Sequence, residues 1–265
     1  MRAKNIFAAA IFLAALGVRA GLPEGDLLEG IQPGADGKID ILEVFSHQDD
    51  ESIYGGGAVL KAVKDPRVRL HILCMTFDQT SGAIKNLKIT PDQSGRIRVK
   101  ELESAAAVYG TDDVIQFNYP SRSLEKVGDE KLIQEIQDVI VLTDAEIVIT
   151  HDPAGITGHW DHVTCSRVAT EAFKRSSAQA LYYPTLPKGM YRIALLFKTY
   201  RTKGEPAVPD FKVMIREEKK LKRLACMEHA SQMLYTTVGR DMSLFFIMNH
   251  EYFKKLDKNK GISDK

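Results

Sequence analysis

The chain has 265 residues, 44% of them apolar and 27% charged, with a formal net charge of +1. That length allows a sizeable buried core, and the near-neutral balance argues against nucleic acid as a partner. Cys74, Cys165 and Cys226 are too few and too far apart for a disulfide framework or a thiolate zinc site, and read as buried packing residues.

Arg2 and Lys4 open the chain, the uncharged run Ile6 to Val18 follows, and Val18-Arg19-Ala20 has a small-x-small pattern. This is the layout of a secretory signal peptide cleaved near Ala20, and the run is shorter than the ~20 residues of a membrane span. Residues 1–20 are therefore expected to be removed. Residues 21–265 would form a single secreted or periplasmic domain, or one tethered to the membrane if the signal stays uncleaved. Loss of Arg2, Lys4 and Arg19 makes the remaining chain slightly acidic.

Residues 21–38, rich in Gly and Pro, read as a loop. Ile39 to Ser46 reads as a strand ending at His47-Gln48-Asp49-Asp50, and 51–64 as a helix weakened by Gly55-Gly56-Gly57. Val68 to Phe77 is a second strand, 78–95 a loop, 96–109 a helix, Asp113 to Tyr119 a strand and 129–142 a helix. Ala145 to Thr150 is a strand that ends at His151-Asp152, and 161–174 is helical. Ala180 to Tyr183, Ile193 to Phe197 and Phe211 to Ile215 are short strand candidates. Glu217 to Met233 reads as one long helix, 243–248 as a last apolar segment, and the basic tail after Phe253 as frayed surface. Strands alternating with helices predict an α/β fold: a three-layer, Rossmann-like, mostly parallel sheet with helices on both faces. Ligands in such sheets bind beyond the carboxyl ends of the strands, where both histidine-rich clusters fall.

The second cluster, THDPAGITGHWDHVTCSRVA, places His159 and His162 three apart at a loop-to-helix junction. Combined with the first, His47, Asp50 and His162 supply two nitrogens and a carboxylate oxygen. That is a ligand set for a catalytic Zn2+ with one position open; another divalent metal such as Fe(II) or Co(II) suits it too. Asp49 is the candidate general base, and Asp161 the candidate to hold a ligand histidine by its other nitrogen. Read alone, H-x-D-D also suits a helix cap, and H-x-x-H a surface pair. The triple glycine suits a phosphate loop poorly, because acids crowd the same turn; close packing of the helix explains it better.

HQDDESIYGGG resembles the H-P-D-D-E…GG signature of the LmbE/PIG-L family of zinc-dependent de-N-acetylases, and GHWDH is similar to its G-H-x-D-H. TFDQTSGA sits where the family has its strand-two loop but departs from the Gly-Glu pair often found there, with Asp78 as the candidate stand-in. RVKELESAAAVYG and KLKRLACMEHASQ resemble two later family stretches, so the resemblance runs from about Ile39 to Gln232. It implies that His47, Asp50 and His162 bind zinc, that Asp49 is the base, and that His159 polarises the amide carbonyl. It also implies, less directly, supporting or substrate roles for Asp161, Arg98, His229 and Asp78. Glu51 is left with a capping role in the first helical turn. Gln48 departs from the family's usual proline.

The expected activity is removal of an N-acetyl or other small N-acyl group from an amino sugar, such as an N-acetylglucosamine unit of a glycan or glycoconjugate. The alternatives are a non-catalytic, zinc-stabilised glycan-binding member and an amidase for a larger acyl chain.

Overall fold

A computed structural model describes residues 21–111, 113–191, 204–236, 238 and 248–258. The elements, in chain order, are β1 (Ile39–Phe45), α1 (Asp50–Ile53), α2 (Gly56–Ala62), β2 (Val68–Thr76), α3 (Ala83–Leu87), α4 (Pro91–Tyr109) and β3 (Val114–Tyr119). Then come α5 (Asp129–Leu142), β4 (Ile147–Thr150), α6 (Gly155–Gly158), α7 (Trp160–Lys174), β5 (Ala180–Thr185), β6 (Phe211–Met214), α8 (Lys219–Glu228), α9 (Ala230–Met233) and β7 (His250–Asp257).

Every residue of β1 is buried, as a strand covered on both faces requires. β1 lies inside a seven-stranded sheet of order β3-β2-β1-β4-β5-β7-β6. β3, β2, β1, β4 and β5 pair in parallel, and β7 runs antiparallel to both β5 and β6. The two-residue period of the strands divides the core. Ile41, Phe45, Ile72 and Ile149 pack with Val59, Leu102, Ala106 and Cys226 on one side. Leu42, Val44, Leu73 and Val148 pack with Ile136, Ile140, Val168 and Phe173 on the other. The three-layer, mostly parallel α/β architecture is thus the one expected. Cys74, Cys165 and Cys226 are buried and unpaired. No helix among the described residues is long and apolar enough to cross a membrane.

Several expected boundaries move. The predicted helix over 51–64 is two short helices, because Gly55 takes φ 94° between them. A Cβ at Gly56 would overlap Tyr109 Oη, and one at Gly57 would come within 2.8 Å of Ile215 Cδ1. The glycines therefore are a packing feature: Gly56 and Gly57 against α4 and the loop after β6, and Gly55 against Pro184 and Phe253 of the sheet. The Gly57 and Ala58 N–H groups donate to Glu251 of β7 at 3.1 and 2.7 Å.

The loop expected over 78–95 contains α3, and α4 begins at Pro91 rather than 96. Thr90 and Gln93 form a reciprocal capping box with Pro91 in the first turn, a start signal the apolar spacing does not show. The long helix expected over 217–233 breaks at His229. Residues 254–257 of the tail expected to fray are instead the second half of β7, paired with β5, while β6 pairs only with the first half; 259–265 lie outside the described residues. The strand candidate Ile193 to Phe197, and 243–247 of the last apolar segment, lie outside the described residues, as do residues 1–20.

Candidate active site

Strand order reverses direction between β1 and β4, which makes their carboxyl ends the topological switch point of the sheet. Four loops meet there. The loop after β1 carries His47 and Asp49 and leads into α1, which opens with Asp50; that after β2 carries Asp78; that after β3 carries Ser121 and Arg122; that after β4 carries His151 and His159 and leads to His162 in the first turn of α7. Together they line an open cleft of about 250 Å³, near the lower end of the ~300–1,000 Å³ of small-molecule sites.

His47 Nδ1 and His162 Nε2 lie 3.0 Å apart, and Asp50 Oδ2 is 3.4 Å from the first and 3.3 Å from the second. The opposite ring nitrogens identify the tautomers. His47 Nε2 faces Asp161 Oδ2 at 3.1 Å, and His162 Nδ1 faces the Gly155 carbonyl at 3.0 Å. Both acceptors call for a proton on those nitrogens. Neutral rings would then point two lone pairs at each other and at a carboxylate oxygen, an arrangement that needs a positive charge at its centre. The residues therefore fit a divalent cation. Without one, a proton on His47 supplies the charge: burial opposes it, but hydrogen bonds to Asp161 and Asp50 hold the His47 pKa well above normal.

His151 and His159 also come within metal-binding reach of parts of this group. His151 Nε2, however, accepts from the Ser46 N–H at 3.2 Å, which occupies its lone pair. Its ring stacks on His162 at 4.0 Å and packs that candidate ligand from behind. His159 Nδ1 accepts from the Asp161 N–H at 3.2 Å, so in the neutral ring Nε2 carries the proton. Burial, with His47 nearby, lowers the His159 pKa to about 4, which keeps the ring neutral. The set His47, Asp50 and His162 thus keeps lone pairs to offer, Asp50 Oδ2 retaining one beside the hydrogen bond that it accepts from the His47 N–H at 2.9 Å.

Asp49 lines the cleft beside this group in an unusual backbone conformation, φ 126°. Its N–H donates to Glu51 Oε2 at 3.0 Å, and its Oδ1 lies 3.2 Å from Arg98 Nη2. Burial pushes its carboxyl up to about 7 against the opposing pull of Arg98. Arg98 is buried and bridges Asp49 to Asp78, while Ser121 Oγ donates to Asp78 Oδ1 at 2.7 Å. Arg98 is therefore not a helix-surface partner of Glu101, whose carboxylate instead accepts from the Ser231 N–H and hydroxyl.

Glu51 departs from its expected capping role. It is buried, and its carboxylate accepts from the Asp49 N–H, the Ser52 hydroxyl and His229 Nε2, the last at 2.7 Å. His229 is fully buried rather than an exposed helix residue. Burial works against both charges, yet each partner restores the other's: Glu51 is held below its usual pKa and His229 above. The pair is intact between those values, lost by Glu51 protonation at lower pH and by His229 deprotonation at higher pH. His229→Ala leaves a buried carboxylate unpaired and is expected to lower the unfolding free energy by ~3–5 kcal/mol in urea denaturation. His229→Gln, which keeps a donor, should lose less.

Gln48, at the position where the family usually has proline, turns away from this chemistry. Its side chain is buried, and Nε2 donates to the Thr76 carbonyl and to Gln116 Oε1, both at 2.9 Å. It ties the loop after β1 to β2 and β3. The sequence reading missed His151, Glu51 and Arg122 as site residues. His151 and Arg122 follow strand ends, so the rule that pointed to His47 could have found them.

Residues 42–173 match the PIG-L family model, described as GlcNAc-PI de-N-acetylase. The chain is 28% identical over 139 residues to a probable N-acetylglucosaminyl-phosphatidylinositol de-N-acetylase of Schizosaccharomyces pombe, covering 51% of this chain and 52% of that protein. It is 28% identical over 197 residues to a probable N-acetyl-alpha-D-glucosaminyl L-malate deacetylase 2 of Bacillus anthracis, covering 72% of this chain and 80% of that protein. The fold matches that of N,N'-diacetylchitobiose deacetylase from Pyrococcus horikoshii with a TM-score of 0.63 at 18% identity, over 88% of this chain and 86% of that one. The match thus spans about half of the yeast relative's length but most of the bacterial one's. The segment 42–173 holds both histidine clusters together with Arg98, and on that match the chain belongs to the PIG-L/LmbE family.

Proposed function

We propose that this chain is a metal-dependent amide hydrolase that removes an N-acetyl or other small N-acyl group from an amino sugar or glycoconjugate. The observation that carries the reading is the convergence of His47 Nδ1, Asp50 Oδ2 and His162 Nε2 on one point, in a cleft also lined by Asp49 and His159. The names of the relatives supply the substrate class. His47, Asp50 and His162 would hold the ion, and two imidazoles with one carboxylate suit Zn2+. Such an ion supplies Lewis acidity, which lowers the pKa of water and polarises a carbonyl.

The other steps belong to side chains. Asp49 takes the proton of the attacking water, and the same carboxyl then gives it to the departing amine. A base poised near neutrality suits both transfers, which burial of Asp49 provides. His159, neutral and protonated on Nε2, donates a hydrogen bond to the oxygen on which charge develops. Asp161 holds His47 in the correct tautomer. Asp161→Asn should therefore weaken zinc retention ~10–100-fold in a chelator competition. Unchanged retention would remove that role.

The test is acetate release from N-acetylated amino sugars, with N,N'-diacetylchitobiose among them, before and after metal removal. Activity that persists in the stripped enzyme, or no acetate from any substrate, would sink the proposal. The run Ile6 to Val18 with Ala20 supports export of residues 21–265 after signal cleavage. N-terminal sequencing of secreted protein beginning at Gly21 would test this, and a retained Met1 would favour the uncleaved anchor.

A further inference from the structure

The cleft is lined by Asp49, Asp50 and Asp78 and by the guanidinium-bearing residues Arg98 and Arg122. Arg98 spends its charge on Asp49 and Asp78. Asp50 faces the two histidine nitrogens of the candidate ion site. Arg122 is exposed, and no ion pair with a described residue engages it. It is the uncompensated cation of the lining, among the described residues.

Its position is built rather than incidental. Arg122 takes φ 63°, a conformation that side-chain-bearing residues rarely adopt. Its N–H donates to Asp161 Oδ2 at 2.6 Å, and the Leu124 N–H donates to Asp161 Oδ1 at 3.3 Å. Asp161 is the carboxylate that also faces His47 Nε2. The loop after β3 is thus clamped to the group that orients a candidate metal ligand, and Arg122 is held in fixed register with the reacting centre. A guanidinium fork is suited to two-pronged pairing with a carboxylate or a phosphate.

We infer that the substrate is an anionic N-acyl amino sugar, with a carboxylate or phosphate group on the part remote from the acyl amide, and that Arg122 pairs with that anion. The inference rests on the deacetylase reading for the reaction but not for the binding of the anion.

The experiment compares methyl N-acetylglucosaminide, N-acetylglucosamine 1-phosphate and N-acetylmuramic acid as neutral, phosphate and carboxylate substrates. Wild type and the variants Arg122→Gln, Arg122→Lys and Arg122→Glu are measured. The ratio of kcat/KM for the better anionic sugar over the neutral one is expected to exceed about tenfold in wild type, and to fall by roughly that factor in Arg122→Gln, through KM. Arg122→Lys should recover part of the ratio, and Arg122→Glu should invert it. Whichever anion gives the larger ratio identifies its chemistry.

Calorimetric binding of glucosamine 1-phosphate and glucosamine supplies a readout independent of turnover. If no sugar is hydrolysed but the phosphate sugar binds roughly tenfold more weakly to Arg122→Gln, the anion site stands and the deacetylase reading falls. If the neutral sugar is hydrolysed while both the ratio and the affinity are indifferent to Arg122, the anion site is overturned and the deacetylase reading stands. Indifference to Arg122 with no hydrolysis overturns both.

Discussion

Asp49→Asn is expected to cut kcat ~10²–10⁴-fold while zinc content stays at the wild-type level. The two halves of that result come from separate features. Asp49 contributes no atom to the convergence of His47, Asp50 and His162, so its loss should not empty the site. Its carboxyl is nonetheless held at the edge of the same cleft by a strained backbone, a hydrogen bond to Glu51 and the Arg98 guanidinium. Asparagine keeps the volume and tolerates positive φ better than most residues, so the fold should survive. What it removes is the ability to take a proton.

The pH profile carries the same signature. A carboxyl raised to about 7 by burial is protonated, and useless as a base, below that pH. Activity should therefore fall as pH drops, and a bound dication, by favouring the carboxylate, should place this limb below 7. The limb should vanish from the residual activity of Asp49→Asn. A variant that keeps more than a tenth of wild-type kcat would remove Asp49 from the role of base.

The second large effect is expected from His47→Ala and His162→Ala. Each removes one of the lone pairs that converge with Asp50 Oδ2, and a site with one nitrogen and one carboxylate oxygen left holds zinc poorly. Metal analysis after dialysis should find little zinc in either variant, and acetate release should fall to background. Because the ion binds the folded chain, chelation of the wild type should lower its thermal midpoint, by an amount equivalent to ~2.7 kcal/mol at an ion concentration of 100 Kd. The alanine variants should show almost no such shift. Full zinc occupancy in both variants would mean that the ion, if present, sits elsewhere, with the His151 nitrogen as the next place to look.

How far each residue could be read from the chain depends on what its neighbours are. The short apolar strands and their punctuation announce an α/β sheet, since a strand covered on both faces must be apolar throughout, as Ile39–Phe45 nearly is. Local geometry was legible where side chains a few residues apart do the work, as in His47 with Asp50. It was not legible for the break at Gly55, where φ is 94° and Pro184 and Phe253 arrive from β5 and β7 to crowd the place of a Cβ. β7 was missed for the same kind of reason: Lys254 and Lys255 look like a solvated tail until β5 takes up their backbone.

The sequence by itself therefore determined the fold class, the candidate ligand and base residues, and the resemblance that points to the family. These are carried by residue type and by spacing within single segments. Only the tertiary structure decided the environment of each group: that Glu51 is buried against His229, that Arg98 is consumed by Asp49 and Asp78, and that Arg122 is left unpaired at the cleft. Burial and pairing across 20 to 178 residues of chain arise when the strand ends are brought together. A charged side chain in a sequence carries no mark of whether its partner will be water or another charge.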